Sequence, residues 1–174
     1  NGDGFGTVTI SRSGIVKLAA TLGDGTKVSQ GTHISKGGFW PFYVPLYSGR
    51  GFAMGWVQLT RAGGSDDFGS ITWMKLPDVR AKSYPEGFTN QIQALVSEYQ
   101  HDAAKALFEN GPAWMTLQSE NSSQEVAVVL TVDSKGKISG QNGLSLSIAS
   151  SGLLSGQVLN PVSGKKISFK GVVL

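Results

Sequence analysis

Val8-Thr9-Ile10-Ser11-Arg12-Ser13-Gly14-Ile15-Val16-Lys17-Leu18-Ala19-Ala20-Thr21-Leu22-Gly23-Asp24-Gly25-Thr26-Lys27, continuing to Ile34, decides the fold, because Leu146-Ser147-Ile148-Ala149-Ser150-Ser151-Gly152-Leu153-Leu154-Ser155-Gly156-Gln157-Val158-Leu159, continuing to Leu174, runs through the same order. Each copy reads as strand, Gly turn, strand, Gly-bearing turn, strand. Ser13-Gly14 answers to Ser151-Gly152, and Gly25-Thr26-Lys27 to Gly164-Lys165-Lys166. Self-similarity of this kind fixes an architecture before any single residue is interpreted. It specifies an antiparallel meander made twice, over residues 7–35 and 145–174, with Gly14 and Gly152 in equivalent turns. Two-residue alternation then places Val8 and Ile10, or Leu146 and Ile148, on the core face.

Working outward, Gly4 to Ile10 alternates small or apolar with polar residues, and Gly23-Asp24-Gly25 supplies residues that tolerate positive φ in a hairpin. Phe39-Trp40-Pro41-Phe42-Tyr43-Val44-Pro45-Leu46-Tyr47 is aromatic, and its two prolines mark an edge or bulged strand. Phe52–Thr60 and Gly69–Leu76 follow as strands. Asp78 to Gly87 reads as a loop, 88–98 as a strand through Ile92, Ala94 and Val96, and 102–109 as one short helix stopped by Asn110-Gly111-Pro112. Further strands are expected over 114–118, 125–132, 137–139, 144–148, 153–159 and 166–174. Ten or more short strands with a turn every 8–12 residues predict an all-β fold, an antiparallel Gly-rich barrel or sandwich with an internal pseudo-repeat.

Composition agrees. At 174 residues the chain suits one domain, 1–174. Its 24 glycines against 6 prolines describe turn-rich globular sequence rather than a collagenous or disordered tract. Charged residues make up only 16 %, and the net charge of +3 is scattered from Arg12 to Lys170 without the basic stripe and interleaved aromatics of a nucleic-acid surface. Cysteine is absent, which removes disulfides, thiolate metal sites and cysteine nucleophiles together. No run approaches the ~18 apolar residues of a membrane helix, so no membrane insertion is expected. A start at Asn1 without Met is read as the loss of a leader or a preceding domain.

Asp24-Gly25-Thr26-Lys27, Gly38-Phe39-Trp40-Pro41-Phe42-Tyr43, Tyr47-x-Gly49-x-Gly51-x-x-x-Gly55-Trp56, Ser151-Gly152-x-x-Ser155-Gly156 and Pro161-x-x-Gly164-Lys165 form an ordered set. As a set it resembles the Gly-rich β modules near the C-terminal ends of large exported verrucomicrobial proteins, often found after immunoglobulin-like repeats. The resemblance covers most of the chain, with 78–125 the weakest part. It implies an extracellular or cell-surface setting among neighbouring domains of a larger exported protein, and it carries no catalytic residues across. It also implies a further Gly-rich strand beyond the position of Leu174.

Catalytic candidates are few. His33 and His101 lie in no nucleophile-elbow or metal-ligand pattern. Asp66-Asp67 or Glu98 with Asp102 supply carboxylates for a glycosidase pair, but solvated turn charges are the simpler reading. Asn1-Gly2-Asp3-Gly4 and Gly23-Asp24-Gly25 look like calcium-loop fragments, yet lack the regular acidic ladder and distal Glu, so turn chemistry accounts for them. No cofactor is expected. Asn121-Ser122-Ser123 is a formal glycosylation sequon on a surface stretch.

Aromatics are the best ligand candidates. Trp40, Tyr43 and Tyr47 divide between core, interface and a ring platform for a polysaccharide, with Trp40 and Phe42 on one side of the strand; Trp56 and Trp73 are expected in the core. The chain also ends in strand pattern, so Phe169, Val172, Val173 and Leu174 are expected to meet a strand from a neighbour, its Phe5, Val8 and Ile10 among them, giving strand complementation and an open filament. The expected function is therefore a non-enzymatic extracellular structural or adhesive module that self-associates, with a carbohydrate-binding module second and a glycoside hydrolase third.

Overall fold

The computed structural model describes residues 3–59, 67–100, 113–119, 122–132, 138–160 and 163–174. The helix expected over 102–109, together with Asp66, His101, Asp102 and Asn121, lies outside them. Among the described residues the chain is all-β and antiparallel. Three successive meanders follow one another without a crossover. The first is a three-stranded sheet of β1 (Phe5–Ile10), β2 (Ile15–Thr21) and β3 (Lys27–His33). The second has four strands, β4 (Phe39–Leu46), β5 (Gly51–Gln58), β6 (Asp67–Lys75) and β7 (Phe88–Val96). The third has six: β8 (Ala113–Ser119), β9 (Ser122–Val132), β10 (Ile138–Gly140), β11 (Leu144–Ile148), β12 (Leu153–Leu159) and β13 (Lys166–Val172). One of the sheets curls into a half-barrel.

The chain divides into two compact units, Asn1–Glu98 and Tyr99–Leu174, where composition led to an expectation of one domain. Each unit holds one copy of the meander and its own core. In the first, Val16 and Leu18 of β2 are buried with Trp40, Phe42, Val44 and Leu46 of β4, Val57 of β5 and Trp73 of β6. In the second, Leu130, Ile138, Leu144, Leu146 and Val158 form the buried cluster, with Ile148 and Phe169 packed against it. Val8 packs on the first core, but Ile10, opposite Val16 in the ladder, stays half exposed because β1 is the outermost strand of its sheet.

Hydrogen bonding shows the two copies to be equivalent in path. Ser11 N–H donates to the Ile15 carbonyl (2.9 Å) and Gly14 N–H to the Ser11 carbonyl (2.9 Å); Ala149 and Gly152 do the same toward Leu153 (2.8 Å) and Ala149 (2.9 Å). Gly14 and Gly152 have φ of 78° and 80°. This is the three-residue hairpin built from a tight turn and a left-handed glycine. The third strand closes on the same carbonyl in both, Ile34 N–H to Gly14 and Val173 N–H to Gly152. The turn recurs at Ser35–Phe39, where Gly38 has φ 79°. The copies differ in their second hairpin, which spans Leu22 to Thr26 in one and Asn160 to Lys165, a residue longer, in the other.

Glycine at the two matched turns answers to different constraints. A Cβ at position 14 would meet only Ile34 Cγ2 at 3.4 Å, whereas one at 152 would sit 2.9 Å from the Tyr99 ring. Gly14→Ala should therefore cost only the left-handed penalty of about 1–2 kcal/mol, and Gly152→Ala should cost more. Denaturation midpoints of the two variants check this; equal losses would contradict the packing difference.

Candidate functional site: the outer face of the four-stranded sheet

Alternation along β4 sorts its aromatics. Trp40, Phe42, Val44 and Leu46 point inward and are buried, while Phe39, Pro41, Tyr43 and Pro45 point outward. Trp40, 3 % exposed, is a core residue: its ring meets Phe42 edge-on at 5.6 Å and its Nε1 donates to Gln30 Oε1 at 3.2 Å. Gln30 Nε2 in turn donates to the Pro41 carbonyl at 2.9 Å, tying β3 to β4.

The inward positions of β5 are Gly51, Ala53, Gly55 and Val57, small enough to admit the large rings of β4 and β6 beneath them. A Cβ on Gly55 would lie 2.0 Å from the Ser70 carbonyl oxygen. Small residues inward put the bulky ones outward. Trp56, expected in the core, is therefore 60 % exposed, whereas Trp73 does pack inside, edge-on to Phe88 at 4.9 Å. The ladder places Pro41, Trp56, Ser70 and Gln93 in one cross-strand row and Tyr43, Met54, Thr72 and Gln91 in the next.

The result is a sheet face with two halves. β4 and β5 carry Phe39 (42 % exposed), Tyr43 (54 %), Met54 (47 %) and Trp56, while β6 and β7 carry Ser70, Thr72, Gln91 and Gln93. Burying such an apolar side chain is worth about 1.5–3 kcal/mol, so a cluster of them held in water makes this face the candidate interaction surface. A shallow depression of about 230 Å³ lies between Phe39, Trp56, Gln58, Gly69, Ser70 and Gln93. That is below the ~300–1,000 Å³ of sites that engulf a small molecule.

Tyr47 leaves this face. Directly after β4 the backbone turns left-handed at Tyr47 (φ 54°), Ser48 (φ 56°) and Gly49 (φ 86°), which swings the phenol inward. Its hydroxyl donates to Asp24 Oδ2 at 2.6 Å and accepts from Trp73 Nε1 at 3.1 Å. Its ring lies against Gly51, where a Cβ would come within 2.6 Å of Cδ2. Lys75, 6 % exposed, stands 5.0 Å over the ring centre and donates to the Ser83 carbonyl. These contacts offset strain of about 1–3 kcal/mol per non-glycine residue. Of the three aromatics singled out by sequence, then, Trp40 is core, Tyr47 is a latch between the β2–β3 hairpin and the second sheet, and Tyr43 is on the open face. Trp56 and Met54 join it there.

For the assembly residues, Phe5–Ile10 is laddered along its whole length to β2 of its own chain. It is not a free donor strand, since leaving would break that ladder. Phe169 packs in the second core, Val172 and Val173 are half-buried, and Leu174 is exposed. β13 pairs with β12 and ends the order of its sheet. Among the described residues no three His, Asp or Glu side chains converge as metal ligands.

No family model matches the chain, and no curated protein or solved structure matches it either.

Charge at the latch makes its stability pH-dependent. Burial acts to raise the Asp24 carboxyl, but the hydrogen bonds from Tyr47 and Thr26, with the Lys75 charge, outweigh it and hold Asp24 below its ordinary 3.8. Burial, then the Asp24 hydrogen bond and charge, push the Tyr47 phenol well above its ordinary 10.0. A lowered carboxyl stabilises the fold above its unfolded value, and that contribution disappears as pH falls through the folded value. The raised phenol contributes fully below 10.0, and its contribution is lost as pH rises from there through its folded value. Asp24→Asn should flatten the acid limb of a stability-against-pH curve. Tyr47→Phe should cost about 1–3 kcal/mol by leaving the Trp73 N–H without its acceptor and Asp24 with Thr26 but no phenol donor. An unchanged acid limb in Asp24→Asn would remove the latch from the account.

Proposed function

We propose that this chain is a non-catalytic extracellular adhesive module that holds a polysaccharide on the outer face of its four-stranded sheet. The observation that carries the reading is the exposure of Trp56, Tyr43 and Phe39 on one continuous face flanked by uncharged hydrogen-bonding side chains. A pyranose has a C–H face that is apolar and slightly positive, which suits the negative face of an aromatic ring. Its rim of hydroxyls both donates and accepts, as do Ser, Thr and Gln. An open face of this kind binds without converging acid and base groups, which supports binding over a glycosidase. The cell-surface setting rests on the resemblance to exported β modules.

A second reading, self-association into a filament, is favoured by one observation. β1 and β13 each end a hydrogen-bonded sheet, and β1 carries neither charge nor proline along Phe5–Ile10. Natural edges are commonly blunted by both. In this form the neighbours pair edge to edge, with β1 keeping its own ladder. Sedimentation over a wide concentration range tests it, and a species that stays monomeric throughout removes it.

Trp56→Ala and Tyr43→Ala should each weaken retention in polysaccharide-containing gels about tenfold while leaving the unfolding midpoint within about 0.5 kcal/mol of the parent, as expected for surface positions. Trp40→Ala is the contrast: it should destabilise by about 3–5 kcal/mol through a core cavity. Retention of both surface variants at the parent level across a broad glycan panel would defeat the proposal.

A further inference from the structure

Resting on the glycan reading above, the face also specifies which glycan and how it lies. We infer that the ligand is a neutral, unbranched polysaccharide laid lengthwise along β4 and β5, stacked on Trp56 and Tyr43, with its hydroxyl edge turned toward Gln91 and Gln93.

Charge is the first argument. Among the described side chains the outward positions of β4 to β7 hold no Asp, Glu, Lys or Arg: they are Phe, Pro and Tyr on β4, Phe, Met, Trp and Gln on β5, Ser, Thr and Met on β6, and Thr, Gln and Leu on β7. Lys75, Trp73 and Ile71 take the inward parity of β6. A uronate or sulfate ester brought onto this face would lose its hydration with no cation among the described outward strand positions to replace it, which is strongly unfavourable. Anionic glycans are held instead by Arg and Lys, through forked or point-charge contacts. A neutral chain loses nothing comparable here. The amides of Gln91 and Gln93 each offer both donors and an acceptor, matching hydroxyls of either sense.

Direction is the second argument. The exposed rings lie on β4 and β5, while the middle of β6 and β7 carries Ser70, Thr72, Gln91 and Gln93, so over this central span the change from apolar to hydrogen-bonding chemistry runs across the strands and each side of it extends along them. Tyr43 is the cross-strand partner of Met54, two residues from Trp56 on the same strand. That makes Tyr43 and Trp56 diagonal neighbours, about 7–8 Å apart, two consecutive platforms along that line. The depression at Trp56 is shallow and shares its exposed face with Tyr43, so a chain stacked on Trp56 can continue along the strands over Tyr43. A ligand recognised by its end would need a closed wall.

The test uses the full chain in gels containing hydroxyethyl cellulose or glucomannan as neutral probes, and alginate or chondroitin sulfate as anionic ones. Retention by a neutral probe only, unchanged between about 0.05 and 0.5 M salt, a range across which screening would weaken charge-based binding, is the expected result. The double variant Gln91→Ala with Gln93→Ala should lose retention about tenfold, and affinity for neutral oligosaccharides should rise with length until both Tyr43 and Trp56 are covered. Retention by the anionic probes, alone or as well, overturns the neutral specificity but leaves glycan binding standing. Unchanged retention by the double variant, or full affinity for a monosaccharide, overturns the lengthwise placement. Retention by none of the probes overturns both this inference and the reading it rests on.

Discussion

The first unit depends on one steric exchange: a strand of rings, β4, lies beside a strand whose inward positions are nearly bare. Gly51, Ala53 and Gly55 leave the volume that Trp40, Phe42 and Trp73 occupy. Interiors pack close to the density of organic crystals, so neither strand could change its inward residues alone. Because side chains alternate with a period of two, emptying the inside of β5 commits Phe52, Met54 and Trp56 to the outside. The core and the open face are two consequences of one pattern.

Much of the architecture was legible because its signals are local. A left-handed glycine closing a three-residue hairpin needs only the right residue at the right spacing, and Gly14, Gly38 and Gly152 announce it in sequence. The duplicated meander was visible for the same reason. Strand existence followed from alternation even where composition was ambiguous, as at Ile92, Ala94 and Val96 of β7. The split into two units was not visible. It depends on which apolar faces find each other, and a composition compatible with one core is equally compatible with two small ones.

Site residues were legible in part. Trp40 and Phe42 could be placed on one side of β4, and Tyr43 on the other, by parity alone. Tyr47 could not, since two consecutive non-glycine residues with positive φ break the alternation, and nothing in Tyr47-Ser48-Gly49 except the glycine hints at it. Trp56 departs from the general tendency of a strand tryptophan to lie in the core. The neighbours Gly51, Ala53 and Gly55 held the contrary signal: when one parity of a strand is empty and the other bulky, the empty side is the one pressed against large partners.

On the glycan reading proposed above, the prolines of β4 bear on how many such modules could share one polymer. β4 ends its sheet, Pro41 has no N–H to offer, its carbonyl is already taken by Gln30, and Pro45 repeats the missing donor four residues on. The border of the aromatic face is thereby closed to a further strand. Copies crowded side by side on a common fibre would be held by the fibre without fusing along this border, and their density there would stay reversible, set by how much polymer is exposed.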